Sequence, residues 1–131
     1  MKNRASAEPR SAFSEGNISV TFVLSEYLTA DGKSPFGEWF LRQEATAAAK
    51  VTVQLYRMEQ GNLSNVAPVG AGVSEKKMDW GPGYRIYFAL PERPCLLLLG
   101  GSVKADQHAA IKTVKLHWQD YKRRRSSRPW H

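Results

Sequence analysis

The residues best suited to chemistry lie on a short alternating segment that follows a tight turn. Gly81-Pro82-Gly83 predicts the turn, because proline fixes φ and the flanking glycines adopt positive φ without steric cost. In the strand that follows, Arg85 and Tyr87 point to one face, and apolar side chains point to the other, which we expect to be core. A guanidinium fork on a rigid strand matches two phosphate oxygens at once. The segment therefore predicts a phosphate-binding surface that carries an arginine beside a phenol.

Two lysines add to this predicted surface. Lys77 shares the outer face with Arg85 if the even-numbered residues of both hairpin strands face the core. Lys104 follows the break in the chain at Gly100-Gly101. Either lysine adds positive charge or, when neutral, accepts a proton as a base. The alternatives are an incidental surface position for each lysine and, for Arg85, exposure to solvent or an ion pair with Glu75.

Groups that transfer protons are fewer. Gln107 and His108 open the last predicted helix, whose N-terminal amides favour anions. His108 or the phenol of Tyr87 could donate a proton, although an isolated exposed histidine is more often without a role. His117 lies within the same helix and is expected to be structural. One cysteine and three scattered histidines lack the ligand spacing of a metal site, and we expect neither a metal nor a cofactor.

The elements that must position these residues follow in the order β-α-α-β-β-β-α. They are a strand over residues 18–29, a short helix from Pro35, a helix over 44–60, a loop over 62–72, strands over 73–80, 84–90 and 95–99, and a helix over 105–124. The strand over 95–99 is a continuous apolar run, which we expect to be central and covered on both faces. The sequence predicts an α+β domain with a four-stranded, mainly antiparallel sheet, two N-terminal helices and one C-terminal helix.

The charge of the chain indicates the kind of partner. Its 131 residues include 19 Lys and Arg against 12 Asp and Glu, a formal net charge of +7. This excess favours a polyanion such as nucleic acid or an acidic protein, although it also serves solubility. Cys95 cannot form an internal disulfide, and no apolar segment approaches membrane-spanning length. We therefore expect a cytoplasmic protein of one domain that makes no contact with a membrane.

The two ends of the chain differ in composition from the segment between them. Residues 1–17 lack periodicity and are expected to form a disordered leader before a domain over residues 18–125. Residues 126–131 are expected to form a basic flexible tail. The run from Lys122 to Arg128 either attracts polyanions without specificity or is simply a solvated end.

Over about residues 24 to 125, the order and spacing of several short segments resemble the HigB-like "addiction module killer" branch of the RelE/ParE toxin superfamily. The segments are Glu26-Tyr27-Leu28, Ser34-Pro35-Phe36, Glu59-Gln60-Gly61-Asn62-Leu63, Val66-Ala67-Pro68-Val69-Gly70, the turn and strand from Gly81 to Phe88, Leu97-Leu98-Leu99-Gly100-Gly101, and Lys104 with Gln107. The resemblance implies the same element order that the residues predict.

The resemblance also implies a function. It is that of a type II toxin that inhibits translation by cutting mRNA on the ribosome, held inactive by an antitoxin encoded beside it. One alternative is a ParE-like binding protein that poisons DNA gyrase, and another is a basic RNA-binding module without activity. The superfamily shares one fold across the first two activities, so the fold does not decide between them.

Cleavage of RNA without a metal needs a base for the 2′-OH proton, cations for the charge on the transition state and a proton donor for the leaving 5′-oxygen. The resemblance implies that Arg85 contacts the scissile phosphate, because RelE-like toxins carry a Tyr-Arg pair on this strand. We expect Lys77, Lys104, His108 and Tyr87 to complete the catalytic group. The residues expected to bind RNA are Lys76, Gln107, Lys112, Lys115, Arg123 and Arg124.

The sequence departs from the family's pattern at Lys76 and at Ala109-Ala110. Lys76 stands at a strand position where relatives usually have an aliphatic residue, and it either adds charge or disturbs packing. The two alanines replace a more polar pair, which removes contacts at the start of the last helix. We therefore expect weaker activity even if the fold is that of the family.

Overall fold

The computed structural model describes residues 21–127. The predicted leader, the first residues of the first predicted strand and residues 128–131 of the tail lie outside this range. In chain order the elements are β1 (Val23–Glu26), α1 (Pro35–Leu41), α2 (Ala45–Glu59), β2 (Val66–Gly70), β3 (Val73–Lys77), β4 (Tyr84–Ala89), β5 (Cys95–Val103), a short 3-10 turn (Lys104–Asp106) and α3 (Gln107–Ser126). The protein is therefore an α+β domain, as the sequence predicts.

The described part of the chain forms one mixed sheet of five strands in the order β1-β5-β4-β3-β2. β1 runs parallel to β5, and the other neighbours are antiparallel. β5 lies between two strands, and Leu96–Leu99 are buried, so the prediction of a covered inner strand is confirmed. The strand does not end at Gly100 as predicted, because the two glycines continue the ladder opposite Tyr87 and Ile86.

The prediction of four strands is wrong. Val66–Gly70, predicted to be loop, forms β2 and pairs with β3. Pro68 and the two small residues around it resemble a loop in composition. A proline is tolerated here because β2 is an edge strand, and an edge strand needs only half of its backbone groups for the ladder.

The ends of the two N-terminal helices agree with the sequence. Pro35 is the first residue of α1, and the backbone N–H of Gly37 donates a hydrogen bond of 2.9 Å to Ser34 Oγ. α2 ends one residue before Gln60, and Gly61 follows with φ of +91°. A serine cap and a glycine stop satisfy backbone groups that a helix end leaves without intrahelical partners.

Apolar side chains form a core on each face of the sheet. On one face, α1 and α2 pack against the even-numbered residues of the hairpin and against β5. The buried residues of this core are Phe36, Trp39, Ala47, Val51, Met58, Met78, Tyr84, Ile86, Phe88, Leu96 and Leu98. On the other, α3 covers a second set: Tyr27, Val73, Tyr87, Ala89, Leu97, Leu99, Val114 and Trp118. The predicted register of the hairpin is thus confirmed, but the face predicted to be open to solvent is covered by a helix.

The contact between α1 and β5 depends on the absence of a side chain at Gly101. A Cβ added there would lie 2.3 Å from the ring of Trp39, whereas one added at Gly100 would lie 3.0 Å from Val114 Cγ1. An aromatic ring that packs directly on a strand backbone cannot retreat without opening the core. The side chain of Val114, the neighbour of Gly100, can shift more easily than this ring.

We expect Gly101→Ala to lower the free energy of unfolding by about 2 kcal/mol or more, because the added methyl overlaps a buried ring. The adjacent Gly100→Ala should cost less, since only a methyl of Val114 must shift. Urea denaturation of both variants beside the parent protein measures the difference. Equal destabilisation by the two substitutions would contradict the close approach of Trp39.

Candidate functional site

A shallow pocket of about 280 Å³ opens beside the hairpin turn. It is lined by the turn residues Asp79–Gly83 together with Arg85 and Lys104. The backbone N–H of Lys104 donates a hydrogen bond of 3.3 Å to the carbonyl of Pro82, which holds the chain after β5 against the turn. Gly83 has φ of +79°, and a Cβ there would lie 3.1 Å from Lys104 Cβ. We call this the hairpin pocket, and it brings together two of the predicted catalytic residues.

Arg85 is not exposed as predicted. It is only 6% exposed, because α3 covers its side of the sheet. Its Nε lies 3.9 Å from Glu75 Oε1, and its Nη1 lies 3.4 Å from the carbonyl oxygens of Gly83 and Tyr84. Nε itself has no hydrogen-bond partner among the described residues. The guanidinium is thus held in place by long contacts that leave hydrogen-bonding capacity unused.

Glu75 is the acidic partner that holds this arginine. It is 3% exposed, and its two oxygens accept hydrogen bonds of 2.8 and 3.1 Å from Nε2 of Gln107. Gln107 is the first residue of α3. This bond ties the start of α3 to the sheet, and the predicted contact of Gln107 with RNA stays a prediction. The structure therefore contains the ion pair between Arg85 and Glu75, which was one of the alternatives that the sequence left open for this arginine.

Tyr87 is fully buried, and its predicted position on an open face is wrong. Its hydroxyl lies 2.9 Å from Ser102 Oγ, which donates its own hydrogen to the carbonyl of Val103 at 3.0 Å. Burial raises the pKa of Tyr87 above its usual value, although the bond to Ser102 opposes this. In this arrangement the phenol supports the strands and does not reach a substrate.

The other predicted catalytic residues are exposed. Lys77 lies directly across from Arg85 in the register of β3 and β4, and two cations in opposite positions repel each other unless an anion lies between them. Lys104 is exposed at the rim of the hairpin pocket. His108 is exposed in the first turn of α3, but it does not line the pocket. The pocket also contains the carboxylate of Asp79, which sequence reasoning did not assign to the site.

The residues predicted to bind RNA do not form one surface. Lys76 is buried on the α2 side of the sheet, opposite Ile86. Lys112 is exposed on α3, and Lys115 is partly buried next to Gly70. These side chains lie on different elements and on both faces of the sheet, so the structure does not bring them together.

Arg123 and Arg124, also predicted to bind RNA, are engaged in ion pairs with Asp120. Tyr27 donates a hydrogen bond of 2.6 Å to the same carboxylate, and Arg124 also donates to the carbonyl of Leu28. The bond from Tyr27, followed by that from Arg124, holds the pKa of Asp120 below its usual value. This cluster joins the last turns of α3 to the chain after β1, so part of the basic run has a structural role.

A second, larger cavity of about 610 Å³ lies between α2 and the sheet. We call it the α2 groove. Its basic lining residues are Lys50, Arg57, Lys76 and Lys77, of which Lys77 shares the opposite face of the sheet with Arg85, and Trp80 also lines it. Lys76 is 4% exposed and donates a hydrogen bond of 2.6 Å to the carbonyl of Ser64. Burial, followed by the nearby charge of Arg57, lowers the pKa of Lys76 from its usual value.

Sequence reasoning missed Lys50 and Arg57, although a signal was present. Lys50, Gln54 and Arg57 recur at i, i+4 and i+7, which places them on one face of α2. The apolar residues of α2 predict the helix, and these polar residues form a second face beside them. Within residues 21–127, no three His, Cys, Asp or Glu side chains cluster as a metal site would require. No helix in the same range is both long and apolar enough to cross a membrane.

The fold and its hairpin pocket define an α+β protein with a mixed five-stranded sheet between two helical layers. No family model and no solved structure gives a significant match to the chain. The chain is 31% identical over 86 residues to an uncharacterized protein of Haemophilus influenzae, a match that covers 65% of this chain and 87% of that protein. The chain belongs to the same family as this Haemophilus protein.

The buried pair of Glu75 and Arg85 makes a testable prediction about stability. We expect Arg85→Met to lower the free energy of unfolding by about 3 kcal/mol, because it leaves the carboxylate of Glu75 buried without its cation. The double variant Glu75→Gln/Arg85→Met should lose clearly less than the sum of the two single variants. Chemical denaturation of the four proteins gives the coupling energy.

The exposed Arg42 provides the matched control for this cycle. Arg42→Met should change stability by no more than about 0.5 kcal/mol. Additive effects of the Glu75 and Arg85 substitutions would show that the two side chains act independently, contrary to the structure.

Proposed function

We propose that this protein is a metal-independent endoribonuclease, the toxin of a type II toxin–antitoxin module, and that it cuts mRNA on the ribosome in the cytoplasm. The observation that carries the proposal is the hairpin pocket, which Arg85 and Lys104 line together. Two cations of different geometry at one small pocket suit a single phosphate group. The resemblance to RelE-like toxins points to the same arginine.

The residues of the pocket suggest how the reaction would proceed. Asp79 offers a carboxylate that accepts the proton of the RNA 2′-OH, and the 2′-oxygen then bonds to the adjacent phosphorus. Arg85 and Lys104 stabilise the charge that builds on the phosphoryl oxygens. The bond from phosphorus to the 5′-oxygen breaks, and that oxygen takes a proton from the Lys104 ammonium. The products are a 2′,3′-cyclic phosphate and a 5′-hydroxyl end.

We also propose that the topology is RelE-like. The seven elements of that family would correspond to β1, α1, α2, β3, β4, β5 and α3, and β2 would be an addition at the edge of the sheet.

Proton transfer at the pocket has few dedicated groups, so positioning must supply much of the rate. A ribosome that bends the mRNA to align the 2′-OH with the phosphate contributes such positioning, which is worth about 7 kcal/mol or more in well-oriented reactions.

The proposed partners are the ribosome with its mRNA and an antitoxin encoded in the adjacent gene. An exposed pocket with cations at its rim is hazardous in a cell filled with RNA. An acidic antitoxin segment over the hairpin pocket would screen it, and complementary charge would speed the association. Co-expression with the adjacent gene should therefore yield a stable complex and restore growth.

A second candidate is a basic RNA-binding module without catalytic activity. The observation that favours it is the burial of Arg85 against Glu75, together with the fully buried phenol of Tyr87. A guanidinium that is already partly compensated contributes less to a transition state than a free one. The two candidates differ in whether RNA is cut, not in whether RNA is bound.

We expect Lys104→Gln to slow mRNA cleavage about a hundredfold in cells that express the protein, because the variant loses a charge beside the phosphate. Its fold should remain intact, since Lys104 contacts the turn through its backbone N–H and its side chain is exposed. Lys33→Gln, an exposed residue before α1, is the charge-matched control and should cleave as the parent does. Primer extension on total RNA gives the cleavage sites and their extent.

Three results would decide against this function. Growth inhibition with DNA breaks and intact mRNA would indicate a gyrase poison. RNA binding without cleavage would favour the second candidate. Equal cleavage by the Lys104→Gln and Lys33→Gln variants would remove the hairpin pocket as the reacting site.

A further inference from the structure

The α2 groove lies on the sheet face opposite the side chain of Arg85 and contains an excess of positive charge. The basic side chains among its lining residues on this face are Lys50, Arg57 and Lys76, against one acidic lining residue, Asp79. None of these three cations forms an ion pair with a carboxylate of the described residues. By contrast, Arg123 and Arg124 at the end of α3 are both paired. The groove therefore concentrates cations that lack a protein partner.

Lys76 is the clearest sign that the groove is built for an anion. Its side chain is more than nine-tenths buried, yet its ammonium has one hydrogen bond, to the carbonyl of Ser64. An ammonium has three donors, and a buried charge without a counter-ion is costly. A methionine of similar length would fill the position without that cost. An anion bound in the groove would supply both the missing charge and the missing acceptors.

Trp80 adds an aromatic surface at the end of the groove. Its ring is partly buried and stacks on Tyr84 with centroids 5.8 Å apart. Nζ of Lys50 lies 4.7 Å from the centroid of the Trp80 ring. Proteins that hold single-stranded nucleic acid combine such aromatic rings with nearby cations, since bases stack on the ring and phosphates contact the cations. An acidic peptide would use the cations but would gain little from the ring.

The groove continues into the hairpin pocket around the turn. Asp79 and Trp80 line both cavities, and Lys77 lines the groove while lying across from Arg85 in the register. A single-stranded nucleic acid that leaves the groove past Trp80 therefore reaches Arg85 and Lys104 within the length of the turn.

We propose that the α2 groove is a binding site for single-stranded RNA, in which Lys50, Arg57 and Lys76 contact phosphates and a base stacks at Trp80. Binding in the groove does not depend on whether the RNA is cut. Only the further step, that the bound strand continues to the hairpin pocket, rests on the proposed ribonuclease function. At Lys76 the sequence departs from the pattern of the family that the chain resembles. This residue would then adapt the chain to an RNA segment beside the cleavage site.

The test uses the full-length protein and a fluorescein-labelled 2′-O-methyl oligouridylate of 12 nucleotides, which cannot be cleaved through its 2′-oxygen. Fluorescence anisotropy over a range of salt concentrations gives the slope of log K against log salt. For single strands each phosphate contact contributes about 0.7 to the magnitude of that slope. Lys50→Gln/Arg57→Gln should therefore reduce it by about 1.4 and weaken binding about tenfold or more at low salt.

The control is Lys33→Gln/Arg42→Gln, which removes the same charges from two exposed positions that line neither cavity. It should leave the slope as in the parent. Equal changes in the two double variants would show diffuse attraction by net charge and overturn the proposal. Lys76→Met should weaken binding in the same direction, and circular dichroism verifies that it is folded.

Two further measurements identify the occupant. Trp80→Leu should weaken oligouridylate binding about tenfold through lost stacking while leaving the salt slope unchanged. An oligoglutamate of equal charge should compete poorly. Effective competition by oligoglutamate, together with no effect of Trp80→Leu, would assign the groove to an acidic protein segment and reject RNA. Because the probe is not cleaved, failure of the ribonuclease proposal leaves these outcomes unaffected.

Discussion

The buried contact between Glu75 and Arg85 is the interaction on which the arrangement of this protein depends. It joins neighbouring strands of the hairpin on the face that α3 covers, and Gln107 at the start of α3 binds the same carboxylate. One acidic side chain thus fixes both the guanidinium and the position of the helix above it. A buried ion pair of this kind adds little net stability, because the desolvation of both charges offsets their attraction. Its effect is to specify where the arginine lies.

That arrangement has a consequence for chemistry. A guanidinium held by Glu75 is positioned before any substrate arrives, and preorganised charge stabilises a transition state without reorganisation. The same carboxylate partly compensates the positive charge, which weakens attraction for a phosphate. Lys104 and Lys77 counter this effect, since both are exposed and carry no carboxylate partner among the described residues. The hairpin pocket therefore combines one buried, fixed cation with the exposed Lys104.

Much of the fold could be predicted because local signals agreed with the final packing. Ser34-Pro35, Gly61 and the Gly81-Pro82-Gly83 turn each mark a boundary, and the even-numbered residues of the hairpin face a core as their alternation predicts. β2 could not be predicted, since an edge strand with a proline has the composition of a loop.

The site was predicted only in part, because burial on the second face of the sheet depends on a helix far along the chain. Alternation places Arg85 and Tyr87 opposite the first core, but it does not indicate whether solvent or α3 covers them. The buried aromatic and aliphatic residues beside them, Val73, Ala89 and Leu97, were the available signal for a second core. The α2 groove was not predicted, because its cations come from a helix and a strand that are distant in sequence.

The central claim is that the pocket at the hairpin turn cuts RNA when a ribosome aligns it. The most direct measurement incubates the purified protein with an end-labelled mRNA, either free or held in a programmed 70S ribosome, and analyses the rate and the chemistry of the new ends. The account predicts site-specific cleavage on the ribosome that leaves a 2′,3′-cyclic phosphate and a 5′-hydroxyl, with slow or undetectable cleavage of free RNA. Equally fast cleavage of free RNA, or no cleavage of either substrate, would contradict it.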